Sequence, residues 1–142
     1  DNGTVVLAPA GQEVLVMGVD AATGSVRWRT PNPGGWEMSH ASVMPMELDG
    51  KPTYVYCAIG GLAGISAEPG HEGAILWSTT AFNKTVIAPS PLVLDKDRIF
   101  ITAGYGAGGM LLNERGEPVT YSKTGHSSVR ACFGGAPASA GP

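Results

Sequence analysis

Residues of a kind that does chemistry are few in this chain, and they are scattered. The two cysteines, Cys57 and Cys132, stand 75 residues apart (132 − 57), far from the close Cys/His spacing that holds a metal. Cys57 lies in an apolar run and reads as a buried thiol behaving as a small hydrophobe. A Cys57–Cys132 bridge requires the tail to fold back onto that run, which spacing alone does not decide. His71 sits in Glu68-Pro69-Gly70-His71-Glu72-Gly73, where carboxylates flank an imidazole. One exposed turn is a poor cage for a hard cation, which takes about six to eight oxygen ligands. Gly104-Tyr105-Gly106-Ala107-Gly108-Gly109 has the glycines of a phosphate loop. It lacks the Lys-Ser/Thr pair and the helix N-terminus that complete one, so it reads as a strand connection. His40 and His126 open similar segments, His40-Ala41-Ser42-Val43 and His126-Ser127-Ser128-Val129, which argues for a shared structural role. Asn2-Gly3-Thr4 and Asn83-Lys84-Thr85 are glycosylation sequons, of use only in a eukaryotic secretory route. These residues assemble no catalytic, cofactor-binding or metal-ligating set, and the expectation is a non-enzyme without a cofactor.

The elements that would position any site must be short strands. The 142 residues hold 21 glycines and 11 prolines, and only 15% are charged. Many turn formers and few charges suit strands joined by tight turns, and no window carries a 3.6-residue period. The net charge of −3 gives no electrostatic reason to bind nucleic acid or an anionic membrane surface. The longest apolar runs are about six residues, against roughly 20 for a membrane-spanning helix. Asp1 directly precedes the first strand with no signal peptide before it, as expected of a processed or cut chain.

A repeat organises these strands. Gly18-Val19-Asp20-Ala21-Ala22-Thr23-Gly24-Ser25-Val26-Arg27-Trp28 is a strand, a polar turn and a second strand ending on an indole. Asp20 can accept hydrogen bonds from the backbone ahead of it, and Gly24 can take a positive φ. The unit returns, stretched, from Gly64 to Trp77, and again, degraded, from Met110 to Tyr121. Trp28, Trp77 and Tyr121 lie 49 and 44 residues apart (77 − 28 and 121 − 77). A strand-turn-strand unit at roughly 40–50 residues points to propeller blades. Val5, Val55 and Phe100 align the central strands, Ser42 and Ser90 open the second and third cycles, and Pro45 demotes its strand to an irregular or weakly paired one. The first cycle lacks an opening strand.

The pattern Asp20-Ala21-Ala22-Thr23-Gly24 with Trp28 resembles the repeat of the pyrroloquinoline-quinone-like (PQQ-like) β-propeller family, over about residues 3–122. Residues 36–46, and 88–91 through 104–106, are similar to exported or envelope-associated bacterial members. The resemblance implies an all-β fold of antiparallel four-stranded blades, here a partial propeller of about three. The expected blades are 1–35, 36–83 and 84–123. A tail, 124–142, would supply one blade-closing strand at 126–133 and then a flexible linker.

The resemblance also implies two roles. The favoured one is a non-catalytic scaffold or protein-interaction module, periplasmic or extracellular. It would bind a protein partner or self-associate through exposed blade faces, with no nucleic acid and no membrane span. The alternative is a fragment of a PQQ-dependent quinoprotein dehydrogenase, an enzyme that needs a carboxylate base, calcium, a tryptophan floor and usually a vicinal cysteine pair. Trp36 and Glu37 are the residues that could serve, but a packing lid and a solvated carboxylate are the better readings. The expected inter-blade core is Val5, Leu15, Val19, Trp28, Val43, Val55, Cys57, Ile65, Leu76, Trp77, Leu92, Ile99, Ile101 and Leu111. Met38, Met44, Met46 and Met110 would fill space between blades.

Overall fold

Turn chemistry divides the described residues into ten strands. The computed structural model describes residues 2–95 and 97–119. The first sheet is β1 (Thr4–Leu7), β2 (Val14–Asp20) and β3 (Val26–Pro31). The second is β4 (Met44–Leu48), β5 (Lys51–Ala58), β6 (Gly61–Ser66) and β7 (Ile75–Thr79). The third is β8 (Leu92–Asp95), β9 (Arg98–Ala103) and β10 (Gly108–Asn113). Every pairing is antiparallel between sequence neighbours, and there is no helix among the described residues. The fold is all-β, and the three up-and-down sheets are those of a partial β-propeller.

The turn expected at Asp20–Gly24 forms. Asp20 accepts N–H bonds from Ala22 and Thr23, both at 2.9 Å, and Gly24 takes a φ of 73°. Asp49 and Gly50 both have positive φ, 49° and 70°, the hairpin geometry whose twist matches the strands it joins. Pro45 makes its strand neither irregular nor weakly paired. β4 starts at Met44 and pairs with β5 without a break, with Pro45 opposite Tyr54. It is the edge strand of its sheet, where a missing N–H is tolerated.

The core lies between the sheets, in two layers. Leu15 and Val16 of the first sheet meet Tyr54, Tyr56, Ala58, Ala63 and Ile65 of the second. Val55, Cys57 and Leu62 on the other face of the second sheet meet Ile99, Ile101, Ala103 and Leu112 of the third. Alternate residues of β5 therefore point into different layers, as a pleated strand requires, and the middle sheet is buried on both faces. Ala41, Phe82 and Ile87, from connecting segments, close the second layer.

The outer sheets, and the edge strand β7 of the second sheet, correct part of the expected core. Val5 is 45%, Leu76 47% and Leu92 54% exposed. Register is the reason. Val6 packs toward the second sheet, so Val5 and Leu7 point away from it. Val6 pairs with Gly18 as Val55 pairs with Gly64, so Val6, not Val5, aligns with Val55. On β10 the buried residue is Leu112, one position after Leu111. Leu76 alternates between the partly buried Ile75 and Trp77 on the edge strand β7. Met46 and Met110 do pack against the second layer, whereas Met38 is 60% exposed. Tyr121, His126, Cys132, and the expected closing strand 126–133 with its linker lie outside the described residues.

Candidate functional site

One contact recurs at both sheet-to-sheet joints. Trp28 pairs across β2 and β3 with Gly18, and Trp77 pairs across β6 and β7 with Gly64. A Cβ on Gly18 would run into the Trp28 indole, and one on Gly64 into the Trp77 indole. On its far side each indole meets a glycine in the next sheet's last turn. A Cβ on Gly73 would stand 2.9 Å from Trp28 Cε3, and one on Gly116 would overlap the Trp77 ring. Each tryptophan is thus held between two glycines, one from each sheet, because only glycine lets backbone come this close to the ring. Both indoles occupy equivalent places, as the repeat requires. At the first joint Thr30 Oγ1 also donates to the Gly73 carbonyl at 2.9 Å, buried, and Trp28 stacks on Tyr54 with centroids 5.9 Å apart.

The glycine seats were not anticipated from sequence, yet they leave a signal there. Gly24, Gly73 and Gly116 precede Trp28, Trp77 and Tyr121 by four, four and five positions (28 − 24, 77 − 73, 121 − 116).

Beside the first joint opens a cleft of about 240 Å³, lined by Asn2, Thr4, Arg27, Trp28, Tyr54, Ala67, Pro69 and Glu72. Its floor is the Trp28–Tyr54 stack. Arg27 is fixed at the rim. Its Nη1 donates to the Asn2 carbonyl at 3.0 Å and to Thr4 Oγ1 at 2.7 Å, and its Nη2 to Asp20 Oδ2 at 2.5 Å. The Arg27 guanidinium, and then the Thr23 and Ala22 amides, hold the Asp20 carboxyl well below the usual carboxylate range. Glu72 accepts from the Gly70 amide at 2.8 Å. The cleft thus combines an aromatic stack with charged side chains held by their neighbours. A guanidinium does not shuttle protons, and the two carboxylates are engaged in shaping turns.

The remaining candidates are structural in their surroundings. Cys57 is a free, buried thiol, and burial pushes it up to about 12, so it holds almost no nucleophilic thiolate at neutral pH. Ser39 Oγ donates to the Cys57 carbonyl at 2.5 Å, and the Ser39 amide donates to Tyr56 Oη at 3.1 Å, which ties the segment before β4 onto β5. Trp36 covers Gly60 and Gly61 at the β5–β6 hairpin, and Glu37, exposed beside it, pairs its backbone with Ile59. The Ser42 amide donates to Ser90 Oγ at 2.9 Å, so the two opening serines touch. Gly104–Gly109 leads into a strand, with Tyr105 93% exposed. His40 is exposed, and its amide donates to the Ile87 carbonyl. Arg98 pairs with Asp95 across the β8–β9 turn and holds that carboxyl at about 2. Among the described residues no three His, Cys, Asp or Glu side chains converge as a metal site would require.

Sheets stacked face to face, with indoles seated on glycines at each joint, define a β-propeller segment. The fold is similar to that in the crystal structure of BamB from Moraxella catarrhalis, with a TM-score of 0.54 at 23% identity. The match covers 84% of this chain and 34% of that one, so the chain spans about a third of that protein's length. No protein-family model and no curated protein matches the sequence.

Proposed function

We propose that this chain is a non-catalytic interaction scaffold, a PQQ-like propeller segment that works in the periplasm or outside the cell. The observation that carries the reading is the contrast between sheets. The middle sheet is covered on both faces, while the outer sheets present Val5, Leu7 and Val26 on one side and Leu92 and Leu94 on the other, each 38–55% exposed. Apolar faces rimmed by polar turns are where proteins meet proteins. The envelope setting rests on the resemblance of residues 36–46 and 88–106 to exported PQQ-like proteins. No helix of the described residues is long and apolar enough to cross a membrane.

The exposed faces differ from each other, so self-association through them is head to tail and forms either a ring or an open stack. Static light scattering across a hundredfold concentration range tests this. Species heavier than the 14.5 kDa monomer are expected; a monomer throughout removes self-association and leaves a partner protein as the occupant. The quinoprotein alternative is tested by titration with PQQ and calcium. No saturable uptake is expected, and stoichiometric uptake with alcohol oxidation would replace the scaffold reading.

A further inference from the structure

Two tyrosines of β5 stand two positions apart and pack in the same layer, against the first sheet. Tyr56 is fully buried, and its hydroxyl accepts from the Ser39 amide at 3.1 Å. Tyr54 is 9% exposed, its ring stacked on Trp28 with the planes 19° apart. A buried tyrosine hydroxyl ordinarily finds a partner, because giving up water without one is costly. Among the described residues Tyr54 Oη has none. No fully enclosed side-chain oxygen of those residues lacks a partner, so this hydroxyl reaches open space. The open space that Tyr54 borders is the cleft of about 240 Å³.

Other groups of the cleft wall are uncommitted in the same way. Glu72 Oε2 takes the Gly70 amide, and Oε1 takes nothing among the described residues. Arg27 donates to the Asn2 carbonyl, Thr4 Oγ1 and Asp20, and its planar fork has further N–H donors to give. The Asn2 side-chain amide is unpaired among the described residues as well. Asn2 and Arg27 belong to the first sheet and its entry, Tyr54 and Glu72 to the second sheet and its last turn, so the joint assembles the set.

Charge decides what fits. An anion in this cleft would lie beside Glu72 and a cation beside Arg27, so neither sign suits both walls. A neutral ligand whose groups both donate and accept suits both. Neighbouring hydroxyls have that property, and a pair of them matches the fork of a carboxylate or a guanidinium. Ala67 and Pro69 offer apolar surface to the C–H groups between. The volume lies below the range of about 300–1,000 Å³ for drug-sized ligands, which limits the occupant to one ring. We infer that the cleft binds a neutral saccharide through one pyranose ring, free or at the end of a glycan, whose hydroxyls pair with Tyr54 Oη and Glu72 Oε1. The inference goes beyond the scaffold role and does not rest on it.

The test is an amide NMR titration of the isotope-labelled 142-residue protein with methyl glucopyranoside, methyl galactopyranoside and methyl mannopyranoside. At up to about 50 mM sugar, millimolar binding saturates. For at least one glycoside the amides of Thr4, Arg27, Trp28, Tyr54, Ala67 and Glu72 are expected to move together, with those of Ile99 and Leu112 still. The affinity should change by less than about twofold between about 0.05 and 0.5 M salt, since a neutral ligand is not screened. Tyr54→Phe keeps the ring stack and should leave the urea midpoint unchanged while weakening the sugar by about three- to tenfold. A linear tetrasaccharide of the same sugar separates the two sources: tighter binding gives the site to a glycan end, and no gain gives it to the free sugar, and either upholds the inference. Silence with all three glycosides, movement scattered over the surface, or undiminished binding by Tyr54→Phe would each overturn it. Salt-sensitive affinity would overturn it in favour of a charged ligand. A lowered urea midpoint for Tyr54→Phe would overturn it too, because the hydroxyl would then have its partner within the protein.

Discussion

Trp28→Ala, combined with Gly73→Ala, measures the joint directly. The indole touches Gly18, Gly73 and the Tyr54 ring and is only partly exposed. Taking about 150 Å² of covered apolar area, the low end for an aromatic side chain, at about 25 cal/mol per Å² gives about 4 kcal/mol. The alanine methyl retains roughly 1 kcal/mol of this, leaving a loss of about 3 kcal/mol for Trp28→Ala. Gly73→Ala has two costs in the intact protein. A φ of 86° strains any residue with a Cβ, by about 1–2 kcal/mol. The methyl also stands 2.9 Å from Trp28 Cε3, an overpacking worth about 1–3 kcal/mol. Once Trp28 is alanine the second cost disappears and the first stays. Urea denaturation of the four proteins should therefore show a double mutant more stable than additivity allows, by about 1–3 kcal/mol. Equal costs of Gly73→Ala in both backgrounds would refute the seat, and a Trp28→Ala loss near zero would refute the joint.

Three other outcomes are expected. Ile99→Ala, at a fully buried position between the second and third sheets, should cost about 2–5 kcal/mol, while Leu92→Ala on the free face of the third sheet stays within about 0.5 kcal/mol, both read by urea denaturation. Cys57 should resist a thiol-specific reagent at pH 8 in the native state and react once unfolded; fast native labelling would contradict its burial. Asp20 has a folded-state pKa below its unfolded value of about 3.9, so its pairing with Arg27 stabilises the fold above that pH and the benefit is lost as pH falls further. The Tm difference between the native protein and Asp20→Asn should be flat above pH about 5 and shrink below pH about 4; a difference that widens in acid would refute it.

The strands and turns were legible because their chemistry is local. Asp20 to Gly24 and Asp49-Gly50 announce hairpins, and period-two apolar runs announce strands. Facing was legible only where a strand is short of choices. The alternation in β1 says that Val5 and Val6 point opposite ways, but not which way the neighbouring sheet lies, and a one-residue offset put Val5 where Val6 belongs. Pro45 misled because whether a strand lies at an edge is a property of the whole sheet. The cleft at Trp28 and Tyr54 was hidden because its two walls come from different repeats, 26 residues apart (54 − 28). The glycine seats hid for the opposite reason, since a turn glycine already has a sufficient local explanation in its positive φ.

The middle sheet, flanked on both sides, also sets how the molecule comes apart. Each end sheet gives up one layer of packing when it opens, whereas β5 and β6 lie between both layers and expose neither until a neighbour has left. Amide protons of Val55, Tyr56 and Cys57 should therefore exchange with solvent only through near-global opening, while those of β1 and β8 exchange first. Proteolytic nicking should begin at the flanks for the same reason, and the surviving fragment should retain residues 44–79.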